Sequence, residues 1–167
     1  MIQFAYATNM NVKGFSAHLP SAKKIGNAYL PGYELAFNLT ADDLSAKANI
    51  IPVDNPDVPV WGILLEFNDN DAELLDTDGW PESLEPKQLP CIDEAGNLYT
   101  ARVFVTQPHA VNDSLLPYDW YLEKIVTLAE MNSLPDAYIA KLKLTDTKPD
   151  PDVKRKERRL KKFRESL

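Results

Sequence analysis

The hydrophobic period of this chain changes once, near residue 113, and that change restricts the fold more than any other feature. Upstream, apolar residues alternate or gather in short β-rich blocks; downstream they recur at helical spacing. Gln3–Ala7 is a short apolar run that breaks at Thr8-Asn9. Gly32–Asn38 (GYELAFN) alternates, which puts Tyr33, Leu35 and Phe37 on one face of a strand. Ala48–Val53 (ANIIPV) and Val60–Phe67 (VWGILLEF) are β-rich and separated by the turn-forming DNPDVP. Leu98–Gln107 follows the turn Glu94-Ala95-Gly96-Asn97, which predicts a hairpin with Gln88–Asp93. Asn68–Asp76 reads as a short helix capped by Asn68, with Asp69 and Asp71 beside the positive end of its dipole.

Beyond the change, Tyr118–Asn132 puts Tyr121, Leu122, Ile125, Leu128 and Ala129 on one helical face, and Pro117 stands where a helix start tolerates proline. Ser133-Leu134-Pro135-Asp136 is a cap signal for a second helix over Pro135–Lys143. Lys148–Val153 (KPDPDV) reads as a stiff linker into a basic tail whose Val153, Leu160, Phe163 and Leu167 lie near helical spacing. Strands first and helices after predict an α+β fold, with the sheet curled or closed into a small mixed barrel flanked by helices. The expected organisation is one domain over residues 1–147, then a Pro/Asp linker and basic tail over 148–167.

The chain's 167 residues and 44% hydrophobic content suffice for a single buried core. No stretch approaches the roughly 18 apolar residues of a membrane span, and MIQFAYATN lacks the charged and apolar regions of a signal peptide. The single cysteine, Cys91, excludes an intramolecular disulfide, and two histidines exclude a Cys/His zinc site. These features suit a reducing cytoplasm. Cys91 reads as a small strand residue, and His18 and His109 lie in loop-like contexts without a nucleophile motif around them.

The net charge of −7 hides an asymmetry, because residues 154–167 hold eight basic and two acidic side chains. The rest of the chain is therefore strongly acidic, which argues against a nucleic-acid partner and leaves 154–167 as its one candidate handle. The expectation is a solvated C-terminal helix or a tail folded back on acidic surface.

Two segments carry chemistry. Tyr6-Ala7-Thr8-Asn9-Met10 leaves a strand on small and polar residues, so its backbone N–H groups can turn outward together and cradle a carboxylate. Leu74–Trp80 (LLDTDGW) ends a helical pattern with a carboxylate, Asp78, just before Gly79. Set in order with PSAKKIGNAYLPGYELAF (Pro20–Phe37), ANIIP (Ala48–Pro52), VWGILLEF, ARVFV (Ala101–Val105) and the helical pair Tyr121–Leu142, they resemble the γ-glutamylcyclotransferase family and its AIG2-like fold.

That resemblance implies a compact α+β barrel and a small γ-glutamyl substrate, with no metal or cofactor. It implies that Tyr6–Met10 holds the glutamyl group and that a carboxylate at Asp78 moves the proton. The substrate's α-amine attacks its own γ-carbonyl, closes 5-oxoproline and expels an amine. The chain departs from the family where Asp78 replaces a glutamate, Ala7 a glycine and Thr8 a serine, and where Phe104 replaces a hydroxyl-bearing aromatic of some relatives. Alanine at position 7 is acceptable where φ is negative. Asp76, Glu82 and Glu85 are the fallback carboxylates, and Trp80 is a candidate wall of the pocket. The alternative reading is an inactive relative that binds a small ligand or a protein.

Overall fold

The β-rich blocks become strands, and five of them close into a barrel in the order β1-β5-β2-β6-β7. The computed structural model describes residues 1–77 and 81–167. The barrel strands are β1 (Ile2–Ala5), β2 (Lys23–Leu30), β5 (Val60–Glu66), β6 (Leu84–Asp93) and β7 (Leu98–Thr106). All neighbours are antiparallel except β1 and β7, whose parallel contact at Gln3 and Arg102 closes the ring and makes the barrel mixed. The hairpin of β6 and β7 forms as the turn sequence predicts, with β6 beginning four residues earlier than expected.

Strand β2 was not legible as a strand, because KKIGNAYL lacks a clean alternation and its pairing with β5 slips between Lys24 and Gly26. Such a bulge moves the following side chains to the other face and erases the period of two. On β5, Gly62 permits a close approach: a Cβ there would lie 2.2 Å from the Ala5 carbonyl oxygen. This contact sits at the end of β1, immediately before the polar loop.

The remaining strands, β3 (Tyr33–Thr40) and β4 (Ala46–Pro52), form a separate two-stranded ribbon. Buried Asn49 stitches it to the barrel. Its Oδ1 accepts from the Thr106 N–H at 3.0 Å while its Nδ2 donates to Asn38 Oδ1 at 2.9 Å. A buried amide satisfied on both ends fixes the docking of ribbon on barrel.

The helices are α1 (Val12–Ser16), α2 (Asp69–Thr77), α3 (Asp119–Met131), α4 (Asp136–Lys143) and α5 (Val153–Glu165). Asn68 caps α2 as expected, its Oδ1 accepting from the Asp71 N–H at 2.9 Å. The expected face of α3 is buried throughout. The cap of α4 differs: its N-cap is Pro135, without a side-chain hydrogen bond, and Ser133 instead takes a left-handed φ of 55° in the turn.

The basic tail folds back as α5. Leu160 and Phe163 join the same core as Phe4, Leu64 and Ile125, whereas Val153 stays exposed. Burying two such side chains stabilises the docked helix by about 1.5–3 kcal/mol each. Its cations meet acidic surface in Lys156–Asp119 at 2.6 Å and Arg164–Glu123 at 3.3 Å, and Arg155 closes on the buried carboxylate of Asp150. Trp120 Nε1 donates to the same carboxylate at 2.8 Å, so Asp150 anchors the approach to α5. Among the described residues, no helix is long and apolar enough to cross a membrane.

Candidate active site

The chain leaves β1 at Ala5 and turns at once. Tyr6 is buried, and its hydroxyl donates to the Phe104 carbonyl at 2.7 Å. Burial pushes its pKa far up, so Tyr6 remains a neutral donor that ties the loop to β7. Ala7 has φ −129°, away from the positive-φ region that favours glycine, so its φ does not require a glycine there. A 3-10 turn follows over Thr8–Met10.

Hydrogen bonding narrows the expected cradle. The Ala7 N–H donates to Asn9 Oδ1 at 3.0 Å, and the Met10 N–H donates to the Ala7 carbonyl at 3.0 Å. The N–H groups of Thr8 and Asn9 have no acceptor among the described residues. Met10 is fully buried, and its carbonyl accepts from Asn132 Nδ2 at 3.2 Å, which anchors the turn to the end of α3.

Tyr6, Ala7, Thr8 and Asn9 line a pocket of about 340 Å³, whereas Met10 faces the core. Leu84, Phe104 and Tyr121 supply apolar walls. The Tyr121 hydroxyl accepts from the Ala48 N–H at 3.1 Å, and burial pushes its pKa up to about 12. Pro81 also lines the pocket. Asp78 and Trp80 lie outside the described residues, as does the side chain of Asp76. Of the other fallback carboxylates, Glu82 is exposed, and Glu85 pairs with Lys87 at 3.3 Å. Glu85 follows pocket-lining Leu84 on β6, so strand alternation sends it to the opposite face.

The pocket also contains two polar residues that sequence reasoning missed. Gln3 is 2% exposed, and its Oε1 has no hydrogen-bond partner among the described residues. Lys47 reaches in from β4, with Nζ 3.1 Å from Asp43 Oδ2 and 4.8 Å from the Tyr121 ring centroid. Desolvation lowers its pKa, against the opposing pull of Asp43. Gln3 is the one polar side chain of β1, and Lys47 with Asn49 breaks the apolar run of β4; those interruptions were the available signal.

Other candidates fall away. Cys91 is buried in β6, and burial pushes its thiol up to about 12, so it is no nucleophile. The described residues include no group of His, Cys, Asp and Glu able to hold a metal ion. A cleft of about 470 Å³ beside Leu35, Phe37 and Leu142 shares no residue with the loop.

The family model of the AIG2-like family matches residues 59–142, about half of the chain. No curated protein matches the chain in sequence. A solved structure named gamma-glutamyl cyclotransferase superposes with a TM-score of 0.81 over 97% of this chain and 98% of its own, at 22% identity. An uncharacterized protein from Homo sapiens gives 0.79 over 96% and 97%, also at 22% identity. YkqA from Bacillus subtilis gives 0.70 at 20% identity, over 89% of this chain and 56% of its own. At such identities the superpositions establish the shared barrel, and the matched segment from β5 through α4 carries the kinship: the chain belongs to the AIG2-like family, on the fold of γ-glutamylcyclotransferases.

Proposed function

We propose that the chain is a γ-glutamylcyclotransferase-type enzyme, which cyclises a γ-glutamyl amide or amine to 5-oxoproline and releases the amine. The observation that carries this reading is a convergence. Tyr6–Asn9 and Pro81, three residues beyond Asp78, line one pocket. The substrate's α-carboxylate binds the N–H groups of Thr8 and Asn9, which lack an acceptor among the described residues. Met10, buried behind them, holds the turn in place.

The α-amine nitrogen attacks the γ-carbonyl carbon, and the ring C–N bond forms. The proton lost from that nitrogen passes to the Asp78 carboxylate, which returns it to the leaving nitrogen as the γ C–N bond breaks. Both reacting groups belong to one molecule, so holding it folded supplies much of the acceleration. Gln3 Oε1 is an acceptor suited to the α-amine, and Phe104 and Tyr121 exclude water. Residues 1–147 carry this chemistry, and a reducing cytoplasm suits the unoxidised Cys91.

The test is a product assay on the full chain with γ-glutamyl dipeptides and γ-glutamyl amines. Release of 5-oxoproline supports the reading. Folded protein that releases none across the panel overturns it in favour of a ligand-binding relative.

A further inference from the structure

The loop pocket does not end at Tyr121. Thr8, Lys47 and Tyr121 also line a second cavity of about 410 Å³, so the two spaces share a wall. The second cavity is cationic. Lys47 enters it from β4, Lys124 from α3, and Arg159 and Lys162 from α5. Among the described residues Asp43 is its one lining carboxylate, and it is already engaged by Lys47 and Ser45.

These cations are placed, not scattered. Arg159, Lys162, Phe163 and Ser166 follow i, i+3, i+4, i+7 spacing, which puts them on one stripe of α5. The stripe is fixed beside the loop, because Asn11 Nδ2 donates to Ser166 Oγ at 2.8 Å while Asn11 Oδ1 caps α1. Lys47 Nζ and Lys124 Nζ each lie 4.9 Å from the centroid of the Trp120 ring. Elsewhere on the tail Arg155, Lys156 and Arg164 have carboxylate partners, yet Lys124, Arg159 and Lys162 have no ion pair among the described residues. Desolvation, then Arg159, Lys47 and Lys162, lowers the Lys124 pKa to about 8. Gathering like charges in a concave, half-desolvated space is unfavourable until an anion enters it.

Building on the proposed reaction, we infer that the amine released carries at least two negative charges, and that Lys47, Lys124, Arg159 and Lys162 hold that part of the γ-glutamyl conjugate. The glutamyl group occupies the loop pocket, and the amine portion crosses the wall at Thr8, Lys47 and Tyr121 into the cationic bay. The basic C-terminal helix thereby becomes a specificity element. Two chemistries present this charge: an amine bearing two carboxylates, and an amine bearing a phosphate monoester.

The experiment compares matched pairs on the full chain: γ-glutamyl-glutamate against γ-glutamyl-glutamine, and γ-glutamyl-O-phosphoethanolamine against γ-glutamyl-ethanolamine. Both 5-oxoproline release and equilibrium binding are read. Arg159 and Lys162 are exposed, so the Arg159→Gln, Lys162→Gln double variant keeps the fold, checked by its unchanged thermal midpoint. The more anionic member of at least one pair is expected to exceed its counterpart about tenfold or more in kcat/KM, and the double variant to lose most of that ratio. Which pair responds identifies the carboxylate or the phosphate source. Turnover of both members at equal kcat/KM overturns the inference and leaves the cyclisation standing. Charge-selective binding that the double variant abolishes, without any 5-oxoproline, supports the bay and overturns the cyclisation. Neither turnover nor charge-selective binding overturns both.

Discussion

The Tyr6 hydroxyl donates to the Phe104 carbonyl at 2.7 Å, joining the loop after β1 to β7 across 98 residues of sequence. Phe104 stands in register with Pro86 on β6, which has no N–H to offer. The loop that follows β1 supplies a donor at this carbonyl through Tyr6. Tyr6→Phe keeps the ring and removes only that donor. The expected result is a loss of about 1–3 kcal/mol in denaturant unfolding. A rise in KM for γ-glutamyl substrates should accompany it, since the loop loses its tether.

Gly62 makes the same region possible from the other side. A methyl group there would sit 2.2 Å from the Ala5 carbonyl oxygen and 3.0 Å from the Phe4 ring. The first neighbour is backbone and cannot rotate away. Gly62→Ala should therefore destabilise by about 1–3 kcal/mol or more, measured as a lowered urea midpoint at unchanged slope. Wild-type stability in this variant would show that β5 and β1 can separate without cost.

Gln3 should separate stability from function. Its Oε1 is buried without a partner among the described residues, in the pocket wall. Gln3→Leu removes an unsatisfied acceptor, so unfolding free energy should stay level or rise by up to about 1 kcal/mol. Turnover of γ-glutamyl substrates should fall about tenfold or more, because the acceptor proposed for the α-amine is gone. A parallel loss of stability and activity would assign Gln3 to the core alone.

Acid should undo the anchor of α5. Asp150 lies well below its ordinary value of 3.8, chiefly through its hydrogen bond from Arg155, aided by the Asp152 N–H and Trp120 Nε1 against the cost of burial. A depressed carboxylate pKa contributes stability that is fully present above 3.8 and lost as pH falls through the folded value. Asp150→Asn removes the titration. The stability advantage of wild type over this variant should be flat from about pH 7 to about pH 5 and shrink progressively below about pH 4. A difference independent of pH would contradict the assignment.

What could be read in advance was what the local chain decides. The buried face of α3, the Asn68 cap and the hairpin of β6 and β7 each follow from spacing or turn chemistry within a few residues. Strand β2 was lost to its bulge, and Ser133 gave way to Pro135 because the turn between α3 and α4 needed a left-handed residue. Asp150 looked like part of a spacer, since its partners Trp120 and Arg155 meet it only in the folded chain. The site divides in the same way. The Tyr6–Met10 loop announces itself as a polar break after an apolar strand. Gln3 and Lys47 gain meaning only when the barrel and ribbon bring them to that loop.

Asp78→Asn tests the central claim most directly, because it keeps the side chain's size and removes its ability to exchange a proton. Wild-type and variant protein, matched by thermal unfolding, are assayed for 5-oxoproline from a γ-glutamyl dipeptide. The account predicts formation by wild type and a fall in kcat of about 10²–10⁴-fold in the variant at little-changed KM. Formation by both at equal rates would remove Asp78 from the chemistry and contradict the proposed mechanism.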